Sequence, residues 1–234
     1  MIPILGIPVL NRPDLLTACI ASIDEPIGRL VIIDNSREGG MGDVAEAAKP
    51  DCIEELWVTE PPLNLGWTAS VNFIIRTAPK APWWCIVNAD TTFAPGDLGR
   101  LAVAMDEPGA RWVGISDWRA FGLNREAIER VGLWDESFFN YCSDADYERR
   151  CQLADVPMVR LASESTHIGS VCYTGDTRYA AANARSYPLE RDYYRRKWGG
   201  EPRDGERFAT PFDRGGSVAE WTLDIERLAA EVWD

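Results

Sequence analysis

The chain has 234 residues, enough for one domain with a modest appendage, and its 46% hydrophobic and 26% charged composition excludes disordered, collagen-like and low-complexity classes. Against 24 basic residues stand 37 acidic ones, a formal net charge of −13, the wrong sign for a protein that binds nucleic acid or anionic membranes by neutralising phosphates. An anionic ligand would need a local device here, a metal ion or a small basic cluster.

No run approaches the roughly 18–20 apolar residues of a membrane helix. The apolar stretch from Met1 to Leu10 lacks a basic leader and runs straight into Asn11-Arg12-Pro13-Asp14. It reads as a first strand, Ile2–Leu10, and not as a signal peptide. Pro13 and Asp14 open a helix whose apolar positions Leu15, Leu16, Cys19, Ile20 and Ile23 recur at helical spacing. Leu30–Ile33 is a branched apolar strand ending at Asp34-Asn35-Ser36, and Glu55–Val58 is another short strand. Thr68–Thr77 reads as a helix, and Trp83–Val87 as a strand ending at Asn88-Ala89-Asp90. This β-α-β-α-β rhythm predicts an α/β sheet whose ligands collect at the carboxyl ends of the strands, where Asp34 and Asp90 stand.

The second half is expected to hold strands at Arg111–Ser116 and Arg119–Leu123, a helix from Asn124 to about Val131, and a last strand at Val156–Leu161. Ser143 starts a helix with Asp146 three residues on, in the manner of a capping box, and Asp144 lies in its first turn. From Gly175 onward the chain is aromatic and charged, and Ser217–Trp233 places Val218, Trp221, Ile225, Leu228 and Val232 on one helical face. That face either packs on its own domain or pairs two chains into a homodimer.

Common phosphate and nucleophile motifs are missing. No GxGxxG follows the first strand, and neither a GxxxxGK[ST] nor a GxSxG occurs; Gly39-Gly40-Met41-Gly42 reads as a loop. The six cysteines, Cys19, Cys52, Cys85, Cys142, Cys151 and Cys172, form no CxxC pair. Reduced thiols in a cytoplasmic protein are the expectation. What remains is a set of carboxylates at strand ends and a single histidine, His167.

Six segments in order carry a resemblance: Ile7-Pro8-Val9-Leu10-Asn11-Arg12; Val31-Ile32-Ile33-Asp34-Asn35-Ser36; Asn64-Leu65-Gly66 with Asn72; Val87-Asn88-Ala89-Asp90; Ala120-Phe121-Gly122-Leu123 running on to Val131-Gly132-Leu133-Trp134-Asp135-Glu136-Ser137-Phe138-Phe139; and Ser143-Asp144-Ala145-Asp146 with Arg149. Together they resemble a family 2 glycosyltransferase of the inverting, rhamnosyltransferase-like branch. The resemblance implies a GT-A fold over residues 1–174, with a nucleotide-binding half at 1–90 and an acceptor half at 91–174. A partly helical extension, 175–234, follows.

It also implies a nucleotide-diphosphate sugar donor, most simply a UDP-sugar, and an acceptor hydroxyl on a glycan, protein, nucleic acid or small molecule. A divalent cation, Mn2+ or Mg2+, would neutralise the departing diphosphate as a Lewis acid. Asp90 takes the place of the family's Asp-X-Asp motif, whose first carboxylate is here Asn88, and His167 resembles the histidine that completes the metal site. Asp34 would contact the base or ribose, with Pro8, Asn11, Asn64 and Gly66 shaping the same pocket, and Asn72 either beneath the nucleotide or simply packed. Asp144 matches the general base that deprotonates the acceptor. Asp146 is set to cap the helix backbone, and Ser143 replaces the usual Glu.

Each of these residues also has a structural reading: an Asx turn at Asp34, a loop cap at Asp90, helix-start roles at Asp144 and Asp146, a packed histidine at His167. The densest basic run, Arg191–Lys197, is a solvated helix face or a segment that closes on the diphosphate through Arg195, Arg196 or Lys197. In the second case Trp198-Gly199-Gly200 is its lid and hinge. Trp67, Trp118 and Trp134 are candidates for stacking on sugar rings, with core packing the alternative. Two rival functions remain, an inactive sugar-nucleotide-binding module and a sugar nucleotidyltransferase. The second is disfavoured because Gly6–Arg12 offers only Arg12 as a basic group.

Overall fold

The structure, a computed structural model, describes residues 1–115, 117–169 and 177–216; Cys172 and the Ser217–Trp233 segment lie outside the described residues. Its main body is a seven-stranded sheet in the order β3-β2-β1-β4-β7-β6-β8. The strands are β1 (Ile2–Val9), β2 (Ile27–Asp34), β3 (Ile53–Thr59), β4 (Trp83–Val87), β6 (Trp112–Ile115), β7 (Ala120–Asn124) and β8 (Met158–Leu161). Pairing is parallel from β3 through β4 and between β6 and β8, while β7 runs antiparallel to both of its neighbours. The carboxyl ends of the parallel strands therefore share one edge, and the start of β7 faces the end of β4.

Helices cover both faces, which is why β1, β2 and β4 are near-continuous apolar runs. One core packs α1 (Pro13–Ala21), α2 (Met41–Ala48) and α4 (Asp97–Asp106) on the sheet through Leu16, Cys19, Ile20, Ala45, Leu98 and Leu101. The other packs α3 (Gly66–Thr77), α5 (Arg125–Val131) and α6 (Ser143–Leu153) through Val71, Ile74, Ala127, Ile128, Tyr147 and Cys151. Trp134 belongs to this second core, with its ring 3.8 Å from that of Tyr147, so it is a packing residue and not a sugar platform. The expected loop at Gly39–Gly42 holds for Gly39 and Gly40, both in left-handed conformation, while Met41 and Gly42 already form the first turn of α2. Among the described residues Cys19, Cys52, Cys85, Cys142 and Cys151 are free thiols.

Two small elements complete the site. A two-stranded ribbon pairs β5 (Thr91–Thr92) with β9 (Thr166–His167), and α7 (Thr177–Trp198) leads into a tight turn over residues 199–206. A third core cluster joins α7 to α6 through Phe138, Cys142, Ala145, Tyr194 and Trp198. Trp198 is fully buried and donates its Nε1 proton to Asp146 at 2.8 Å, so it anchors the extension and is no lid.

Beside this anchor Lys197 bonds Asp135 at 2.7 Å and Asp146 at 2.6 Å. Burial alone pushes the Asp135 carboxyl up, but Lys197, the Ser137 N–H and the Tyr193 hydroxyl together hold it at about 2. Because that value lies below the ordinary carboxylate value, the stabilisation is present above about pH 4 and is lost as pH falls toward 2. It amounts to about 2 kcal/mol. In urea unfolding, Asp135→Asn is expected to lower the midpoint at pH 6 and to flatten the loss of stability between pH 4 and pH 2.

Candidate active site

The strand ends make the floor of a cavity of about 770 Å³, a usual size for a small-ligand site. Pro8, Val9 and Leu10 line it at the end of β1. Asn11 follows with left-handed φ of 54° and donates its backbone N–H to Ser36 Oγ at 2.7 Å, outside the lining. At the end of β2 the lining residue is Asn35. Asp34 is buried behind it, its two carboxylate oxygens accepting backbone N–H groups of Ser36 at 2.9 Å and Met41 at 3.1 Å. The aspartate thus shapes the β2–α2 loop, the Asx-type role open to it in sequence.

Asn35 in turn accepts the Leu65 N–H at 2.8 Å and donates to Ser70 Oγ at 3.0 Å, which fixes the Asn64-Leu65-Gly66 turn on the cavity wall. Gly66 has φ of +70°, and a Cβ there would stand 2.6 Å from the Phe139 carbonyl oxygen, so only glycine fits this approach. Asn72 lies away from the cavity and pairs both ways with the Trp134 backbone at 2.9 Å, a packing residue.

Beyond β4 the Asn88-Ala89-Asp90 turn enters the cavity wall. The β5–β9 ribbon sets Thr91 opposite His167, which brings His167 Nε2 to 3.0 Å from Asp90 Oδ1 and 3.2 Å from Asn88 Nδ2. Asp90 Oδ2 accepts the Gly169 N–H at 2.9 Å. Nε2 therefore faces a carboxylate oxygen and the Asn88 side-chain amide together, a grouping that a cation shared by Asp90 and His167 could use. Neighbouring ligands of an octahedral ion with bonds of about 2.1 Å stand about 3 Å apart, so the donor set fits. Among the described residues no cluster of three or more His, Cys, Asp or Glu side chains is placed to hold a metal, so those residues offer this pair with Asn88 beside it.

The far part of the wall comes from α6. Asp144 lines the cavity and is 38% exposed, with Oδ2 paired to Arg203 at 2.8 Å. Arg203 also bonds Glu148 at 2.8 Å, and Glu148 holds Arg160 at 2.9 Å, an alternating chain of charges. Although burial works against its charge, Asp144 and Glu148 hold the Arg203 guanidinium more firmly protonated than usual.

Asp146, two residues on from Asp144, points the other way. It is fully buried and bonds Arg150 at 2.9 Å and Lys197 at 2.6 Å, in addition to Trp198. It does not cap the helix, which is entered through Cys142 in a left-handed conformation with no side-chain cap.

Of the residues singled out in sequence, Pro8, Asn64, Gly66, Asn88, Asp90, Asp144 and His167 meet on this one cavity, as do Trp67 and Trp118. Arg195 and Lys197 do not. Arg195 is paired with Glu201 at 2.5 Å on the outside, and Lys197 is locked between two aspartates inside. Their place is taken by Arg203, Arg160 and Arg119, which the local charge density of the sequence did not single out. The one available signal for Arg203 was its position in a Glu201-Pro202-Arg203-Asp204-Gly205 turn.

The fold is GT-A: a mixed, mostly parallel sheet flanked by helices, with the cavity at the carboxyl edge. The chain belongs to Glycosyl transferase family 2, whose family model matches residues 5–141. Similar solved structures include the mannosyltransferase PcManGT from Pyrobaculum calidifontis in complex with GDP-Man and Mn2+, at TM-score 0.59 and 14% identity, covering 97% of this chain and 79% of that one. S. aureus TarS aligns at TM-score 0.58 and 12% identity over 88% of this chain, which spans 45% of the TarS chain. Glucosyl-3-phosphoglycerate synthase from Mycobacterium tuberculosis, in complex with Mg2+ and UDP, aligns at TM-score 0.54 and 11% identity over 71% of each chain. At these identities the likeness is one of fold. None of the curated proteins matches the chain. Among the described residues no helix is long and apolar enough to cross a membrane.

Proposed function

We propose that this chain transfers a glycosyl group from a nucleoside-diphosphate sugar to an acceptor hydroxyl, with inversion at the anomeric carbon and with a divalent cation. A UDP-sugar is the first donor to test, and a rhamnosyltransferase-like specificity is part of this reading. The observation that carries it is the Asp90–His167 contact at 3.0 Å on the same cavity as Asp144. Bound between Asp90 and His167, with Asn88 beside them, the cation would stabilise the charge left on the diphosphate. Support for both donor and ion comes from the family match and from relatives crystallised with GDP-Man and Mn2+ or with UDP and Mg2+.

The chain's own residues divide the remaining work. Asn35 and the Asn64–Gly66 turn face the donor, with Asp34 holding the loop behind them. Three carboxylates line the cavity. Asp90 is occupied by His167 and Gly169, and Glu148 by Arg160 and Arg203. Asp144 uses Oδ2 for Arg203, and among the described residues its Oδ1 has no partner. That oxygen is the one placed to take a proton from an acceptor hydroxyl.

Thermal unfolding with UDP is expected to shift upward in Mn2+ and not in EDTA, because a ligand that binds only the folded state stabilises it by mass action. No shift with UDP or GDP in Mn2+ would sink the donor reading. Metal-dependent release of UDP from a UDP-sugar separates a working transferase from an inactive binding module. His167→Ala is expected to raise the Mn2+ needed for half-maximal UDP shift by about 100-fold, the upper end of the losses seen even for residues that merely support a ligand.

A further inference from the structure

We propose that Arg119 binds the diphosphate of the donor, an inference that rests on the nucleotide-sugar reading above. Arg119 closes the short 3-10 turn over Asp117–Arg119 that precedes β7. Because β7 runs antiparallel to β4, the residue before β7 lies beside the residue after β4. The Asn88 N–H accordingly donates to the Arg119 carbonyl at 2.9 Å, and the Thr91 hydroxyl donates to the same oxygen at 3.3 Å. The side chain reaches across to the other half of the cation pair, where Nη1 donates to the carbonyl of Ser165 at 3.2 Å, two residues before His167. Arg119 is thus fixed at its backbone beside Asn88 and at its head beside the β9 strand, and it lines the cavity between them.

Its charge distinguishes it from the other arginines of the cavity. Arg160 is paired with Glu148, and Arg203 with Asp144 and Glu148. Among the described residues the Arg119 guanidinium has a carbonyl partner and no carboxylate. A half-buried cation without a counter-ion is costly, and the cost falls when an anion arrives. Guanidinium is a planar fork of five N–H donors matched to phosphate oxygens, and a single backbone carbonyl leaves most of them available. Bonded to Asn88 through its backbone and to Ser165, two residues before His167, through its side chain, Arg119 presents this fork on the side of the candidate cation pair, where the donor's diphosphate would lie. In a chain of net charge −13, Arg119 and the cation together form the local positive device that an anionic donor requires.

Titration calorimetry of UDP at fixed Mn2+ tests the assignment on wild type, Arg119→Ala and Arg119→Lys, with Mn2+ binding alone followed by electron paramagnetic resonance. Arg119→Ala is expected to weaken UDP about tenfold to hundredfold, and Arg119→Lys to recover part of the loss, because lysine keeps the charge without the fork. Mn2+ affinity is expected to stay at the wild-type value in both. Unchanged UDP affinity in Arg119→Ala overturns the proposal. So does a parallel fall in Mn2+ affinity, which would make Arg119 a prop for Ser165 and the ribbon. If wild type binds Mn2+ but neither UDP nor GDP, the donor reading itself fails, and the Arg119 role with it.

Discussion

Asp146→Ala is expected to destabilise the protein by about 3–5 kcal/mol, a large part of the stability of any domain of this size. The Asp146 carboxylate is fully buried, and its oxygens hold Arg150, Lys197 and Trp198. Arg150 is itself fully buried and donates to the carbonyls of Val131 and Leu133 at 2.8 Å, so it cannot swing out to water without breaking the seat of α5 against α6. Lys197 keeps Asp135 but loses half of its compensation. Removing the aspartate therefore strands positive charge in the core. Asp144→Ala, two residues earlier, loses only the half-exposed pair with Arg203 and is expected to cost no more than about 1 kcal/mol. Urea unfolding followed by tryptophan emission compares the two directly. Equal midpoints for Asp146→Ala and wild type would show that the buried network adds nothing.

Asp144→Asn is expected to reverse that ranking in activity. The substitution keeps shape and volume but replaces the basic carboxylate, proposed to take the acceptor's proton, with a non-basic amide, and general bases contribute about 10²–10⁴-fold to rate. Transfer is expected to fall by about 10³-fold, with UDP and Mn2+ binding near wild type because Asp144 takes no part in the Asp90–His167 pair. Single-turnover transfer and UDP titration on the same preparation make the measurement. Turnover retained in Asp144→Asn removes Asp144 from the base role, and transfer lost together with UDP affinity assigns it to donor binding instead.

Strands were the most legible part of the sequence. Trp83–Val87 is a wholly buried branched and aromatic run, and its predicted bounds coincide with β4. β2 and β3 extend beyond their predicted bounds because Gly28-Arg29 and Glu54 interrupt the apolar pattern without interrupting the backbone ladder. Helix α2 was hidden by its glycines and small alanines, which give little periodic signal; of α7 only the Arg191–Lys197 face was legible, the earlier turns being obscured by polar sequence and the internal Pro188.

In the site, residues close in sequence to a strand end were readable because the sheet projects them to one edge. Asp90, Asn88 and Asn64 belong to this class. Charge density misled for Arg195 and Lys197, since adjacent positive residues on one helix point in different directions, one outward to Glu201 and one inward to Asp135 and Asp146. Arg203 reaches Asp144 only through the tertiary placement of the turn that carries it, which no local pattern encodes. The first-turn aspartates were correctly found, but which of the two faces the cavity depends on the packing of α7.

The ribbon that joins Thr91–Thr92 to Thr166–His167 is only two residue pairs long and is separate from the seven-stranded sheet. The seam is held further from the β9 side, where Ser165 Oγ accepts the Ala94 N–H and donates to Asp97 and the Gly169 N–H donates to Asp90. The two candidate cation ligands sit on opposite sides of that seam. Under the proposed cation role, occupancy of the site and closure of the seam would be coupled: an ion held by both Asp90 and His167 would favour the closed ribbon, and opening of the ribbon would weaken the site.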